Sequence, residues 1–296
     1  MDVPAIAAFM PVLALLPVWL LAMLVFWWPV QLIWPHPYWS FALVYLLLAV
    51  LLFARPVQRL VLTRLLGARR PHPSEVGLLL PAWRNVAQAN HVPPNRYMLA
   101  VLDADEVNAF ACGGHLLVVS SYAVKMLGEA ELEGVLAHEL AHHLGLHTVA
   151  VTIAQWMSVP ILVLAQIGFF LQNVARAATD AFASNSTALT VIGRFVATIL
   201  TGVGWLFLSG VVVANLLGNW VGRSSEYQAD QRAVEMGFGR QLSAALRLVV
   251  AAGGDRDRRW RAKLFETHPP ARTRVAKIDA MLRARRQARS GPRPSG

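Results

Sequence analysis

The sequence predicts a mainly α-helical integral membrane protein, with four transmembrane helices and an α+β domain that carries a small β-sheet. The chain has 296 residues, of which 56% are hydrophobic and 15% are charged, whereas soluble domains carry roughly 25% charged residues. The missing charges are concentrated, because Asp, Glu, Lys and Arg are absent from residues 3–54, 148–175 and 195–222. These three runs predict the membrane-embedded part of the chain.

The charge-free runs have room for four spans, since one helical span needs about 20 apolar residues. We predict spans near 4–28, 38–55, 149–173 and 195–219. Buried core helices of a soluble protein are the alternative, but such helices seldom stay free of charge over this length. The first run lacks a basic N-terminal region and continues directly into a second apolar run. This pattern favours a permanent anchor over a cleaved signal peptide.

Basic residues predict the orientation in the membrane. Five arginines lie between residues 55 and 70, after the second span, and Arg and Lys recur after the fourth span. Because cytoplasmic loops carry the excess of Arg and Lys, we predict that both termini face the cytoplasm. The excess of Arg over Lys favours a bacterial source, and hence the inner membrane. The net charge of +10 is then explained by topology and by anionic lipid rather than by nucleic acid.

The spans divide the chain into five predicted segments. They are an N-terminal transmembrane hairpin at 1–55, a first part of the α+β domain at 56–147, a second transmembrane hairpin at 148–219, a second part of the domain at 220–288, and a disordered tail at 289–296.

Local patterns predict the elements of the α+β domain. An amphipathic helix opens the first part, and a second helix begins near Ser74. A strand at 97–102 precedes two β-favouring runs that flank Gly113 and Gly114, which is typical of a hairpin. Further helices are predicted near 122 and 129, and at 223–236, 240–252 and 269–289.

The stretch VLAHELAHH at residues 135–143 predicts a metal site. His138 and His142 are four residues apart, so in a helix their side chains share one face, with Cβ atoms about 5–6 Å apart. Glu139 is rotated by about 100° from His138, so it suits a general base better than a ligand. A helix that is merely rich in histidine is the alternative.

A catalytic zinc needs a third protein ligand, and the segment SSEYQAD at residues 224–230 offers one. Glu226 and Asp230 are also four residues apart and share one helix face. Glu226 can complete a His₂Glu site, and Asp230 can accept a proton from the outer nitrogen of a ligand histidine. A solvated helical face is the alternative for this pair.

The chain resembles a family of integral-membrane zinc metallopeptidases that includes the HtpX-like heat-shock proteases and the CAAX prenyl proteases. The resemblance rests on VLAHELAHH, on SSEYQAD, on NAFA at residues 108–111 and on THPPARTR at residues 267–274. It extends from about residue 56 to residue 280. The two N-terminal spans and the hairpin between the ligands are similar to the HtpX branch in particular.

The resemblance implies a role for each matching residue. His138, His142 and Glu226 match the ligands of one zinc ion per chain, Glu139 matches the general base, and Asp230 matches the carboxylate behind a ligand histidine.

Three further matches have structural alternatives. Asn108 lies in the segment that resembles the substrate-binding edge strand, but it could instead close a turn. His268 and Arg274 match a pair near the scissile carbonyl, which makes His268 a candidate catalytic group and Arg274 a candidate substrate contact. His268 could instead cap a helix, and Arg274 could pair with a surface acid.

The function that the resemblance implies is a membrane-embedded zinc endopeptidase for membrane-protein quality control. Its expected partners are peptide, unfolded or membrane-protein substrates and the lipid bilayer, with no nucleic acid. Two alternatives stay open at this point, namely a prenyl-protein protease and a non-catalytic membrane scaffold with a vestigial zinc site.

Overall fold

The computed structural model describes residues 8–145, 147–182, 186–252 and 269–290. The described chain divides into two compact units. The sheet unit comprises the described parts of Met1–Ala8, Val50–Thr152 and Asn219–Gly296, and the apolar unit comprises Phe9–Ala49 and Ile153–Gly218. Most of the tail that we predict to be disordered, residues 291–296, lies outside the described residues.

The described chain is mainly helical, and its four strands all lie between residues 68 and 120. The helices are α1 (Met10–Ile33), α2 (Tyr38–Leu51), α3 (Arg55–Leu65, π-helical at Gln58–Leu62), α4 (Pro73–Ala89), α5 (Ser121–Met126), α6 (Glu129–Leu144), α7 (His147–Phe182), α8 (Thr187–Glu235), α9 (Gly239–Ala251) and α10 (Ala271–Ser290). The strands are β1 (Ala68–Arg69), β2 (Met98–Leu102), β3 (Ala109–Cys112) and β4 (Leu116–Ser120).

Three of the described helices, α1, α7 and α8, are long and apolar enough to cross a membrane. The pair formed by α2 and α3 is bent by 74° and makes a fourth candidate if its two helices form one span. The chain is therefore a multi-pass membrane protein with three or four candidate spans, where the sequence predicts four.

One boundary prediction is wrong. The sequence pattern separates a span at 195–219 from a helix at 223–236, but α8 runs without interruption over 49 residues, Thr187–Glu235. The charged residues from Arg223 onward change the polarity of the helix surface, and the segment contains no proline that would end the helix. Polarity therefore marks where the apolar stretch ends, not where the helix ends.

The apolar unit has its own core of buried side chains, which includes Leu15, Trp19 and Ile161. Tyr45 and Trp156 stack with their ring centroids 4.8 Å apart. The Tyr45 hydroxyl donates to the Trp156 carbonyl at 2.9 Å, and the Trp156 indole donates to the Tyr45 carbonyl at 3.0 Å. These reciprocal bonds satisfy the Tyr45 hydroxyl and the Trp156 indole N–H within an apolar surrounding.

The sheet has the strand order β1-β2-β4-β3, so β3 lies at one edge. β2 and β4 run parallel in the centre, and all five residues of β4 are buried. β3 pairs antiparallel with β4, as the predicted hairpin requires. Gly113 has a φ of +65° in the connecting turn, a conformation that glycine adopts without steric cost.

Local capping explains where the helices of the sheet unit begin. The Glu75 carboxylate accepts from the His72 amide at 2.7 Å at the start of α4, and Pro73 occupies the first turn. The Ser120 hydroxyl accepts from the Ala123 amide at 3.1 Å at the start of α5. Glu129 and Glu131 lie in the first turn of α6, where negative charge stabilises the helix dipole.

Candidate metal centre

Helix α6 lies in the core of the sheet unit and carries the first part of the site. Its buried residues include Leu136 and Leu140, which pack among the side chains of α4, α9 and the sheet. Gly134 allows α6 to approach α9 closely, because a Cβ atom on residue 134 would lie 2.6 Å from the Leu242 Cα of α9. The surrounding elements therefore fix the axial position and the rotation of α6.

Three side chains from α6 and α8 converge in the interior of this unit. His138, His142 and Glu226 are 4%, 7% and 4% exposed. The two histidine Nε2 atoms are 3.2 Å apart. Glu226 Oε2 is 3.3 Å from His138 Nε2, and Glu226 Oε1 is 3.1 Å from His142 Nε2. Two imidazoles and one carboxylate, which uses a different oxygen toward each ring, therefore form a compact triangle of ligand groups.

The triangle has the dimensions of a metal site. In a tetrahedral zinc site, bond lengths of about 2.0–2.1 Å place two ligand atoms about 3.3 Å apart. The three distances between these groups, 3.1–3.3 Å, agree with that separation. These three residues could hold a metal ion, and buried polar atoms that face one another so closely are well suited to one.

Behind the triangle, Asp230 and Arg274 form a buried ion pair. Asp230 Oδ1 is 3.0 Å from His138 Nδ1, the ring nitrogen that faces away from His142. Arg274 Nε and Nη2 donate to the two oxygens of Asp230 at 2.9 and 2.7 Å. Arg274 Nη1 lies 3.0 Å from Glu226 Oε2. Helix α10 therefore contributes a positive charge that touches both carboxylates.

Electrostatics in this pocket follow from burial and close pairing. Burial and the Arg274 charge act to lower the pKa of His138, but Glu226 and Asp230 outweigh them and raise it to about 9. Burial opposes the charged form of Arg274, and its carboxylate neighbours keep its pKa above the ordinary value. A metal ion at the triangle would therefore displace a proton from His138.

Two further polar residues lie next to the ligands in the chain, and each makes its own contact. Ser225 Oγ lies 3.5 Å from His142 Nδ1. Burial lowers the pKa of His143 to about 4, so its ring is neutral at pH 7. His143 Nε2 lies 3.3 Å from the Leu116 carbonyl of β4, to which it can donate. His143 thereby ties the end of α6 to the central part of the sheet.

Comparison with known proteins identifies the family. Residues 81–282, more than half of the chain, match the sequence model of peptidase family M48. The chain belongs to peptidase family M48. The matched region contains α6, the charged end of α8 and most of α10, and therefore every described residue of the site.

Several relatives of this M48 chain are named proteases. It is 31% identical over 204 residues to a "Protease HtpX homolog" from Desulfotalea psychrophila, over 62% of this chain and 67% of the relative. A second homologue, from Polaromonas naphthalenivorans, is 32% identical over 58% of this chain and 62% of its own length. The chain thus spans about two thirds of the length of these curated relatives. "Protease HtpX" from Nitrosococcus oceani is 26% identical over 77% of this chain and 80% of the relative.

The fold of the M48 chain is also found in a solved structure. The crystal structure of S. mikatae Ste24p matches with a TM-score of 0.54 at 17% identity, over 87% of this chain and 61% of that one. At this identity the similarity concerns the fold alone.

The structure places most of the predicted site residues of this M48 chain together. His138, Glu139 and His142 lie on α6, and Glu226 and Asp230 lie on α8. Glu139 is 5% exposed, and its charge contributes to the raised pKa of Arg274.

The structure gives a different outcome for each of the three less specific matches, Arg274, Asn108 and His268. Arg274 is buried among the carboxylates of the site rather than paired with a surface acid. Asn108 is exposed beside the first residue of β3, and its backbone pairs with Ser120. His268 lies outside the described residues.

Sequence patterns do not single out Ser225 and His143. The only sequence cue is adjacency, because Ser225 precedes Glu226 and His143 follows His142. Adjacency on a helix does not predict that Ser225 contacts a ligand histidine while His143 contacts the sheet.

Proposed function

We propose that this chain is a membrane-embedded, zinc-dependent endopeptidase that acts on unfolded or membrane-protein segments. The observation that carries the proposal is the buried triangle of His138, His142 and Glu226, whose edges of 3.1–3.3 Å suit one zinc ion per chain. Two neutral imidazoles and one carboxylate with an open fourth position are the ligand set of hydrolytic zinc enzymes.

The chemistry divides between the ion and the residues of the chain. Zinc, when bound, supplies a Lewis acid that polarises the scissile carbonyl and activates water. Glu139 follows His138 on α6 and is rotated away from the ligand face. It takes the proton of the attacking water and delivers it to the leaving amine. His268 is proposed to stabilise the developing negative charge on the carbonyl oxygen.

The edge strand β3 offers a binding surface for an extended peptide. The Ser120 amide donates to the Asn108 carbonyl at 2.8 Å, and Phe110 is opposite Val118. In an antiparallel pair, alternate residues bond to the partner strand. The backbone groups of Ala109 and Ala111 therefore point to the open edge. A substrate strand that pairs with these groups is read through its backbone, which suits broad specificity.

The packing of β3 supports a substrate-binding edge that lies beside the active site. Ala109 and Ala111 pack against the core that contains α6, while Phe110 and Cys112 pack on the other face of the sheet. A peptide on this edge would therefore run beside the helix that carries His138 and Glu139.

The basic residues support a cytoplasmic active site in a bacterial inner membrane. Arg55, Arg59 and Arg64 are exposed on the segment that follows α2, and further arginines follow the apolar stretch of α8. Positive charge of this kind favours the cytoplasmic side.

One assay tests the proposal. Detergent-purified protein is incubated with casein, with and without a chelator, and zinc is then restored. We expect cleavage that the chelator abolishes and zinc restores. Cleavage that persists after the bound metal has been removed would refute the zinc mechanism, and no cleavage by the zinc-loaded protein would refute the endopeptidase function.

A further inference from the structure

We propose that Arg274 is a positioning residue of the metal site, which holds Glu226 and Asp230 through its guanidinium group, and that it is not a substrate contact. The inference rests on the proposed function, because it assigns the residue that orients the zinc ligands. It also departs from the role that the family resemblance implies for Arg274.

The contacts of Arg274 involve all three guanidinium nitrogens. Nε and Nη2 bind the two oxygens of Asp230 in a fork, at 2.9 and 2.7 Å. Nη1 lies 3.0 Å from Glu226 Oε2. A two-pronged contact between a guanidinium and a carboxylate fixes the plane of both groups. The side chain is buried, with 7% of the residue exposed.

Through these contacts Arg274 reaches two of the three metal ligands. It touches Glu226 directly. It also lies directly beside His138, with Nη2 3.2 Å from His138 Nδ1 and 3.3 Å from His138 Nε2. It reaches the same ring through Asp230 as well, because Asp230 Oδ1 accepts from Arg274 Nη2 and lies 3.0 Å from His138 Nδ1. A residue that acts on a substrate carbonyl would have to give up its contact with one of these carboxylates in the interior of the unit, where breaking a buried ion pair is costly.

The charge of Arg274 and the shape of its guanidinium have opposite effects on a bound cation. Its positive charge opposes zinc at the triangle, since it lies beside the same carboxylate. Its fork favours zinc, because it holds Glu226 and Asp230 in the orientation that the site requires. Lysine keeps the charge but lacks the planar fork. The substitution Arg274→Lys therefore isolates the positioning effect.

The experiment measures zinc affinity by chelator competition, and KM for a peptide substrate, on full-length detergent-purified protein. We expect Arg274→Lys to weaken zinc binding by about 10-fold or more, with KM in saturating zinc within about twofold of wild type. Arg272→Lys is the matched control, because Arg272 is exposed on the same helix, and both quantities should be unchanged.

The opposite pattern would overturn the inference. If Arg274→Lys binds zinc as wild type does but raises KM severalfold, Arg274 contacts the substrate. If Arg274→Lys does not fold, the double variant D230N/R274Q is compared with D230N, which already lacks the Asp230 charge. Equal zinc affinity in these two variants would also refute the positioning role, whereas weaker affinity in the double variant supports it. Absence of zinc from the wild type refutes the proposed function instead.

Discussion

At the level of single residues, the two ligand histidines differ in what faces their outer nitrogens. His138 Nδ1 faces the Asp230 carboxylate at 3.0 Å, while His142 Nδ1 faces the Ser225 hydroxyl at 3.5 Å. A charged acceptor makes the stronger hydrogen bond. His138 is therefore the more firmly oriented ligand, and Ser225 provides a weaker support for His142.

We predict that Ser225→Ala weakens zinc binding by about 10-fold, because partners of metal-bound histidines fix the orientation and the basicity of the ring. Chelator competition measures the affinity. Ser224→Ala is the matched control, since Ser224 is exposed one residue away. Ser225→Thr, which keeps a hydroxyl, should restore most of the affinity. Equal affinity in Ser225→Ala and wild type would remove Ser225 from the site.

The sequence predicts residues of the site when they follow a helical repeat. The spacings of His138 with His142 and of Glu226 with Asp230 need only the geometry of one helix. The contact of Arg274 with His138 joins residues 136 positions apart, and that of Ser225 with His142 joins residues 83 apart. Such contacts depend on how α6, α8 and α10 pack, which no local pattern encodes.

At the level of elements, the position of α6 depends on its close approach to α9. A Cβ at Gly134 would meet the backbone of Gln241 and Leu242. Backbone atoms cannot move aside as a flexible side chain can, so a larger residue would push the two helices apart. Because α6 carries the ligand histidines, this contact also sets the metal site.

We predict that Gly134→Ala destabilises the folded protein by about 1–3 kcal/mol, the range for overpacked interiors. Thermal unfolding in detergent gives the direction and relative size of the change. Gly77→Ala is the control, because Gly77 lies within α4 and a Cβ added there would have no neighbouring atom within 4 Å. It should stabilise the protein by about 0.5–1 kcal/mol. Unchanged stability in Gly134→Ala would contradict the packing described for α6.

The edge strand gives a second prediction at this level. Ala111→Pro removes the N–H that faces the open edge, without removing a bond to β4. We expect KM for a peptide substrate to rise about 5- to 13-fold, the effect of losing roughly one hydrogen bond of 1–1.5 kcal/mol. Ala111→Val keeps the N–H and is the control for side-chain size. Equal KM in Ala111→Pro and Ala111→Val would place the substrate elsewhere.

Elements with strong local patterns are predicted well, and boundaries set by polarity are not. The hairpin at Gly113 and Gly114 follows from turn chemistry and two β-favouring runs, and the structure contains it. The end of the fourth span does not coincide with a helix end, because α8 continues to Glu235. Hydropathy reports the surroundings of a helix surface, while hydrogen bonding decides where the helix stops.

At the level of the whole molecule, charge-free helices and basic flanking segments occupy different parts of one chain. Their distribution predicts that the N- and C-termini lie in the cytoplasm. We expect green fluorescent protein fused after Gly296 to fluoresce and alkaline phosphatase fused there to be inactive. Phosphatase inserted in the loop between α1 and α2 should be active. An active phosphatase at the C-terminus would reverse the orientation.

The central claim is that Glu139 moves protons while the triangle of His138, His142 and Glu226 binds zinc. The most direct measurement compares Glu139→Gln with Glu226→Gln for zinc content and for casein cleavage. Glutamine is nearly isosteric with glutamate, but its amide cannot accept the proton of water.

We predict that Glu139→Gln retains zinc and that its rate of casein cleavage falls by about 10²–10⁴-fold, the usual contribution of a general base. Glu226→Gln should lose zinc together with activity, because an amide is a poorer zinc ligand than a carboxylate. An active Glu139→Gln variant, or a Glu226→Gln variant that holds zinc as tightly as wild type, would contradict this account of the site.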